Sequence, residues 1–564
     1  MKKGIGIGIE DFSEVIKENC YYIDKTKWIE EILEDKSKIK LFTRPRRFGK
    51  TLNMSMLKYF FNVENKEENR KLFNGLDVEK SEYMSEQGQY PVIFISLKSI
   101  KAKTWEEAIQ EIRLLVLELF SEYKYLLEDL DEYDLPRFKK YLMGNADFSE
   151  LKNALLFLTR ILFQKYKKEV ILLIDEYDSP LISAYEHHYY SDAIAFFKVF
   201  YGEALKTNQY LKMGVMTGIL RVAKENIFSG LNNLKVYTIL DNRFTEYFGI
   251  MEAEVGQALK DFDLEVEMED MQRWYNGYLF GDVRAYNPWS VINFLAEGKL
   301  KPYWVNTSGN ELIKLYLQKL RNEIFDDFSR LLNKEAILKI INDNMTFGNL
   351  EANFSRNIWN LFFHSGYLTL AEKYDEDYDD AYLKIPNEEI LKMFSEMFID
   401  VYFENYDDFL EMAHALKNGN IDKFKLELKK ILLENVGIFD VSGDYKEQFY
   451  HGLMLGLVLM LKKEYEITSN NFAGKGRYDL LLKPKNTERR KEGIILELKV
   501  AKADNNLSES EIYEKLEKEC EAALEQIEKR EYASVLRNAG IYNILKVGAA
   551  FFGKELEVRF EREE

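Results

Sequence analysis

Along the first 240 residues, short runs of apolar and β-branched residues alternate with longer stretches of helical periodicity. The short runs are Ile39–Thr43, Val92–Leu97, Val170–Ile174, Met213–Thr217 and Val236–Leu240. Between them lie helical stretches such as Thr104–Tyr123 and Phe148–Lys165. Strands alternating with helices predict crossover connections and a parallel sheet. The run Val170-Ile171-Leu172-Leu173-Ile174 is apolar throughout, as a strand covered on both faces must be. This part of the chain therefore reads as α/β.

The pattern changes twice more. Residues 241–440 are mostly helical and rich in aromatics. Within them Trp359–His364 reads as helix, Tyr367–Lys373 as strand, Tyr374–Asp380 as an acidic turn and Tyr382–Ile385 as strand. Helix, strand, turn, strand is a winged-helix pattern; a plain helical connector is the alternative. From residue 441 a helix (Glu447–Lys463) leads to strands at Tyr465–Thr468, Tyr478–Leu482 and Ile494–Val500. A charged helix (Glu509–Arg530) and a strand (Gly548–Phe552) follow, which makes a second, smaller α/β domain. The charged helix has no clean heptad and reads as a solvated face.

Composition narrows the class. The chain has 564 residues, of which 46% are hydrophobic and 31% charged, the balance of a folded protein. The net charge of −18 excludes a general polyanion binder, so any nucleic-acid contact must use a local basic groove. Only two cysteines, Cys20 and Cys520, are present, too few for a disulfide framework or a zinc cluster. No run approaches the ~20 apolar residues of a membrane helix. Gly4–Ile9 is too short for a signal sequence and ends at Glu10-Asp11. A soluble cytoplasmic protein with no membrane partner is the expectation, with oligomerisation left open.

Chemistry enters at Arg44-Pro45-Arg46-Arg47-Phe48-Gly49-Lys50-Thr51, which follows a strand and precedes a helix, Leu52–Phe61. A phosphate-binding loop needs that context, because the helix N-terminus and loop N–H groups face the anion. Lys50 is expected to reach the β- and γ-phosphates of ATP and Thr51 to bind Mg²⁺. The usual opening glycine is replaced by Arg44. Asp175-Glu176 ends the buried strand Val170–Ile174. Asp175 is placed to hold Mg²⁺ and Glu176 to polarise the attacking water; a pair of helix-capping carboxylates is the alternative. Thr217 ends the next strand and is suited to sensing the γ-phosphate. Arg221, one helical turn on, either approaches the nucleotide or forms a surface ion pair.

On these residues the chain resembles the predicted AAA-ATPase-like family of bacteria and archaea. The resemblance covers residues 4–310 and includes Gly6–Phe12, Tyr22–Thr26, Arg44–Leu52, Leu173–Asp178, Thr217–Asn233, Trp274–Phe280, Tyr286–Phe294 and Tyr303–Asn310. It implies an additional-strand P-loop ATPase core with a helical lid, in which the sensor strand separates the acidic-pair strand from the P-loop strand. It also implies that Arg at position 44 is typical. The nucleotide-binding set is then Arg44, Arg46, Arg47, Phe48, Gly49, Lys50, Thr51, Asp175, Thr217 and Arg221.

The C-terminal domain carries a second constellation. Asp479 follows Gly476-Arg477-Tyr478, and Glu497-Leu498-Lys499 lies on the next strand, where residues two apart share a face. Glu447 and Gln526 sit on flanking helices. Asp479 and Glu497 offer hard oxygen ligands for Mg²⁺ or Mn²⁺, and Lys499 suits a water-orienting or charge-stabilising role. Glu447 adds a carboxylate, and Gln526 can position Lys499 or the water. A lone Glu-x-Lys is ordinarily a surface ion pair; the ordered set resembles the PD-(D/E)xK nuclease superfamily over residues ~443–555, including Gly474–Leu482 and Ala523–Ile527. Nearby Lys475, Arg477, Lys483, Lys485, Arg489, Arg490 and Lys491 either contact a nucleic-acid backbone, DNA ahead of RNA, or form a solvated loop. His451 reads as a packed helix residue one turn from Glu447.

The expected organisation is an AAA-like ATPase core at 1–245, a helical lid at 246–335, a helical or winged-helix domain at 336–440 and a nuclease-like domain at 441–564. Two functions fit. One is an ATPase coupled to a metal-dependent nuclease; the other is a nucleotide-switched regulatory or nucleic-acid-binding protein whose nuclease fold is inactive.

Overall fold

In a computed structural model the structure describes residues 3–206, 208–220, 233–304, 317, 324–332, 334–341, 354–375, 380–402, 406–434, 446–461, 464–473, 475–487, 492–501 and 507–563. The chain divides into two compact units: Met1–Ser308 with Leu338–Ile390, and Gly309–Ile337 with Leu391–Glu564.

The first unit is built on a parallel sheet of β1 (Ile39–Thr43), β2 (Val92–Ser96), β3 (Val170–Asp175), β4 (Leu211–Gly218) and β5 (Leu234–Tyr237). The strand order is β2-β3-β4-β1-β5, and β4 pairs in parallel with both β3 and β1. Every residue of β1 and β3 is buried, which is why these strands show no polar alternation. The register Phe42↔Thr217 and Thr43↔Gly218 brings the loop after β1 beside the end of β4. Aromatics fill one face. Phe42 stacks on Tyr237 at 5.3 Å between centroids and meets Trp28 edge-on at 5.3 Å.

The expected helix Phe148–Lys165 is two helices, Phe148–Lys152 and Ala154–Tyr166. Asn153 breaks it. Its side-chain amide donates to the Ser149 carbonyl at 3.0 Å, while its own N–H turns to Glu150. Asparagine competes in this way with the helical ladder.

Beyond the sheet, helices Glu252–Asp261, Met268–Tyr275 and Pro288–Glu297 share an apolar core, and β6 (Tyr278–Phe280) and β7 (Val283–Ala285) form a hairpin. A further sheet has the order β8-β10-β9, from β8 (Ile337–Ile340), β9 (Thr369–Leu370) and β10 (Asp380–Lys384), with helix Phe354–His364 before β9.

The second unit carries a five-stranded mixed sheet, ordered β11 (Tyr465–Ala473), β12 (Gly476–Pro484), β13 (Glu492–Val500), β14 (Asn543–Phe552) and β15 (Glu555–Glu563). Only β13 and β14 are parallel, and helix Glu509–Lys529 lies in the connection between them. That helix opens on a capping box, Ser508 with Glu511, which satisfies two otherwise orphaned N–H groups. Strand β15 has no run of apolar residues, because its solvent side is charged. Among the described residues no helix is long and apolar enough to cross a membrane.

Candidate functional sites

The loop after β1 contains two residues in the left-handed region, Arg47 (φ 65°) and Gly49 (φ 79°). Such residues turn successive N–H groups toward an anion. Gly49 is the N-cap of helix Lys50–Phe61, and a side chain added there would meet no atom within 4 Å, so the loop is open at that point. Lys50 is buried. Its Nζ donates to the Arg44 and Pro45 carbonyls at 3.0 and 2.8 Å. Burial pulls its pKa down, opposed by Glu176, Asp175 and Asp178.

Asp175 joins the loop to the sensor strand. Its Oδ2 accepts from Thr51 Oγ1 at 2.8 Å and its Oδ1 from the Thr217 hydroxyl. Burial raises its pKa, and both hydroxyls pull it back. Glu176 follows with φ 51°, a conformation costly for a residue with a Cβ, and its Oε2 accepts from Ser179 Oγ at 2.9 Å. Thr51 and Thr217 thus meet at Asp175, and Lys50 lies within reach of the Asp175 and Glu176 charges.

Two residues of the expected nucleotide-binding set, Arg44 and Phe48, turn their side chains into the core. The Arg44 guanidinium is sealed in the core, donating to Thr43 O at 2.8 Å, Tyr237 O at 2.9 Å and Phe244 O at 3.4 Å. It lies over the rings of Phe248 and Phe280, and burial lowers its pKa to about 10. Only its carbonyl meets Lys50. Phe48 is also fully buried, edge-on to Tyr278 at 4.9 Å and beside Phe280 at 5.3 Å. Both side chains anchor the loop, because an aromatic cage and unpaired carbonyls lie behind it. Arg46 is half-buried and close enough to Lys50 to oppose its charge. Arg47 stacks over Trp289 at 4.2 Å and lies 3.9 Å from Glu10. Arg221 lies outside the described residues.

In the second unit, antiparallel pairing of Leu480 with Leu496 extends by one step to set Asp479 opposite Glu497. Asp479 Oδ2 accepts from the Leu498 N–H at 2.7 Å. Glu497 is 2% exposed in its strand. Its Oε1 accepts from Lys499 Nζ at 3.2 Å and from the Gln526 amide, while its buried Oε2 has no hydrogen-bond partner among the described residues. Burial first, then the Asp479 charge, push its pKa up to about 7. Lys499 also donates to Gln526 Oε1 at 2.8 Å.

A divalent cation suits this donor set: two adjacent carboxylates, one with a buried oxygen that nothing satisfies, lose repulsion when a cation sits between them. Among the described residues no third acidic, histidine or cysteine ligand converges on them. Mg²⁺ fits such a sparse set because it retains several waters. Glu447 stands on helix Lys446–Leu459, but its side chain lies outside the described residues. His451, on that helix, is buried with Nε2 3.3 Å from the Asp479 carbonyl.

Tyr532 carries no motif that would single it out in the sequence. Its hydroxyl donates to Arg477 O at 2.6 Å and accepts from Gln526 Nε2 at 3.1 Å, which fixes the direction of the Gln526 amide. Of the nearby basic residues, Lys475 and Lys483 pair with Glu531 and Glu466 on the surface. Arg477 and Lys485 are exposed, and Arg489, Arg490 and Lys491 lie outside the described residues.

Comparison with known proteins agrees with this layout. A protein of Azotobacter chroococcum mcd 1, named as an uncharacterized protein in the vnfD 5′ region, is 24% identical over 398 residues, 70% of each chain. The family described as predicted AAA-ATPase matches residues 6–228, and the PD-(D/E)XK nuclease superfamily matches residues 445–561. The chain therefore carries a region similar to the predicted AAA-ATPase family and, after it, a region similar to the PD-(D/E)XK nuclease superfamily.

Proposed function

We propose that this protein binds and hydrolyses ATP at the first site and cleaves nucleic-acid phosphodiesters at the second with the help of a divalent metal ion. The observation that carries the nuclease reading is the buried, unpartnered Glu497 Oε2 opposite Asp479, with Lys499 and Gln526 on its other oxygen. A carboxylate held this way costs several kcal/mol unless something positive compensates it. Asp479 and Glu497 would hold Mg²⁺ or Mn²⁺. When bound, the ion supplies neutralisation of the phosphate charge and a more acidic water. Lys499 supports developing negative charge as water adds to phosphorus and the bond to the leaving sugar oxygen breaks, that oxygen taking up a proton. Exposed Arg477 and Lys485 suit backbone contact, which carries no sequence preference.

At the first site, Lys50 and the N-terminus of its helix would bind the phosphates, and Thr51 and Asp175 would hold Mg²⁺. Glu176 orients the water that attacks the γ-phosphorus, and ADP leaves with the electrons of the broken P–O bond. Thr217 bridges Asp175 to the end of β4.

The test is a cleavage screen over single- and double-stranded DNA and RNA, with Mg²⁺ or Mn²⁺, with and without ATP. Wild-type protein should cut at least one substrate, and Asp479→Ala and Lys499→Ala should not. Cutting that survives both changes refutes the second site. No cutting under any condition favours a nucleotide-switched binding protein. Lys50→Ala should abolish ATP binding, and Glu176→Gln should bind ATP but turn it over slowly. Normal turnover in both refutes the first.

A further inference from the structure

The turn after β3 does more than present Asp175 and Glu176. Asp178 is fully buried, and its Oδ2 accepts from two consecutive backbone N–H groups, Ile219 and Leu220, each at 2.8 Å. These N–H groups lie just beyond the end of β4 at Gly218. Tyr177 closes the same junction from the other side. Its N–H donates to Thr217 O at 3.0 Å and its hydroxyl to Leu220 O at 2.6 Å. The fit is tight. A Cβ on Gly218 would approach the Tyr177 ring to 2.5 Å and Asp178 Oδ1 to 2.8 Å. The Gly218 carbonyl is itself held by the Arg44 N–H at 3.0 Å, in the phosphate loop.

We infer that Asp178 is a positioning residue for ATP hydrolysis: it locks the end of the sensor strand onto the acidic turn, so that Thr217 and Glu176 keep one fixed spacing across the γ-phosphate. The inference rests on the ATPase reading of this site. Neither group can shift alone. Thr217 is tied through its carbonyl to Tyr177, and the next residues are tied to Asp178, two positions from Glu176. A carboxylate suits the task because a charged acceptor bonds both N–H groups more strongly than a neutral one. Burial raises the Asp178 pKa to about 6, and the two N–H groups, then the Lys50 charge, pull it back toward the ionised form. Nucleotide binding uses the loop and its helix, so the lock should matter to turnover and not to affinity.

The experiment compares steady-state ATP turnover and nucleotide affinity in the full chain for wild type, Asp178→Asn and Tyr177→Phe. Misplacement of catalytic groups on the scale of an ångström costs about 100-fold in rate, so Asp178→Asn should lose about that much in kcat while its Kd for ATP stays within about threefold. Tyr177→Phe removes one neutral hydrogen bond and should lose about 3- to 10-fold in kcat with unchanged affinity. Equal losses in kcat and affinity, accompanied by a lower Tm, would mean a merely structural role and overturn the inference. Turnover unchanged in Asp178→Asn overturns it directly. If Asp178→Asn does not fold, Tyr177→Phe decides alone, and wild-type kcat in that variant overturns the lock. Wild-type protein that hydrolyses no ATP sinks the ATPase reading and the inference with it, a result separable from an active wild type with an active Asp178→Asn.

Discussion

Glu497→Gln should stabilise the metal-free second unit at alkaline pH, although it removes a residue assigned to the active centre. Glu497 is 2% exposed, and burial and the neighbouring Asp479 charge raise its pKa from 4.5 to about 7. The sign follows from linkage. A carboxyl with a raised pKa binds its proton more tightly in the folded state. Its contribution to stability is complete below 4.5 and is lost as pH rises through about 7. The gap between those two values corresponds to about 3 kcal/mol. Glutamine keeps the shape and an acceptor for Lys499 and Gln526, and the attraction of the carboxylate to the Lys499 ammonium is already contained in that gap. The expected net gain at about pH 8 is then up to about 3 kcal/mol, shrinking to below about 1 kcal/mol near about pH 5.

The assay must see the right unit. All six tryptophans fall at or before Trp359, so intrinsic fluorescence reports on the first unit. Hydrogen exchange of peptides covering β12 and β13, measured against urea in a chelator, reports on the strands that carry Asp479 and Glu497. Excess Mg²⁺ or Mn²⁺ should reverse the order, because an ion that binds only the native wild-type site stabilises it by mass action. Equal stability of the two proteins across the whole pH range, or a variant weaker at alkaline pH, would refute the claim that Glu497 is held against its electrostatic preference.

Three further outcomes follow from the first unit. Arg44→Gly, which restores the residue usual at that motif position, should destabilise by about 3–5 kcal/mol, because it empties an aromatic cage and strips the Tyr237 and Phe244 carbonyls of a donor; tryptophan-monitored urea unfolding measures it, and a neutral effect contradicts the burial argument. Gly366 has φ +84° and a Cβ there would lie 2.7 Å from Pro45 Cβ, so Gly366→Val should push on the phosphate loop and weaken ATP binding about tenfold by titration calorimetry. Glu254→Ala leaves the buried Lys25 ammonium with only the Glu246 carbonyl, and the Tm should fall in step with a loss of about 3 kcal/mol.

Much of the fold was legible because burial writes itself into sequence. Strand β1 is found at the expected Ile39–Thr43, and β3 runs one residue past the expected Val170–Ile174, to Asp175. Fully buried strands have no choice but to be apolar. Strand β15 was not legible, since Glu555–Glu563 alternates charged with apolar residues and resembles a polar tail. The shared face of Glu497 and Lys499 was legible from the strand period, whereas the helical Gln526 was named only from its order along the chain and is found bonded to both. The directions of Arg44 and Phe48 were not. Both lie in a loop, where no period fixes which way a side chain points, and their partners Phe244, Phe248, Tyr278 and Phe280 come from about 200 residues or more further along. Asp178 was equally hidden. Its role depends on where the end of β4 arrives, which only the tertiary register decides.

The two centres can also be read without any motif, from the sign of their electrostatic imbalance. At Lys50 the protein buries a cation at a helix N-terminus, and burial lowers its pKa despite three nearby carboxylates. The open N–H groups of a helix N-terminus are completed by an anion, and a loop open at Gly49 admits a phosphate chain. At Glu497 the protein buries an anion beside a second anion and leaves one oxygen without a donor. That site is completed by a cation. Each imbalance costs stability in the ligand-free chain, and a residue chosen for packing alone would remove it. The order of effects is therefore testable as a pair: neutralising Glu497 should gain stability and lose metal binding, and replacing Lys50 by Met should gain or hold stability and lose nucleotide binding. A protein in which both substitutions lose stability would hold these charges for packing, and the assignment of the two centres to ligands of opposite sign would fail.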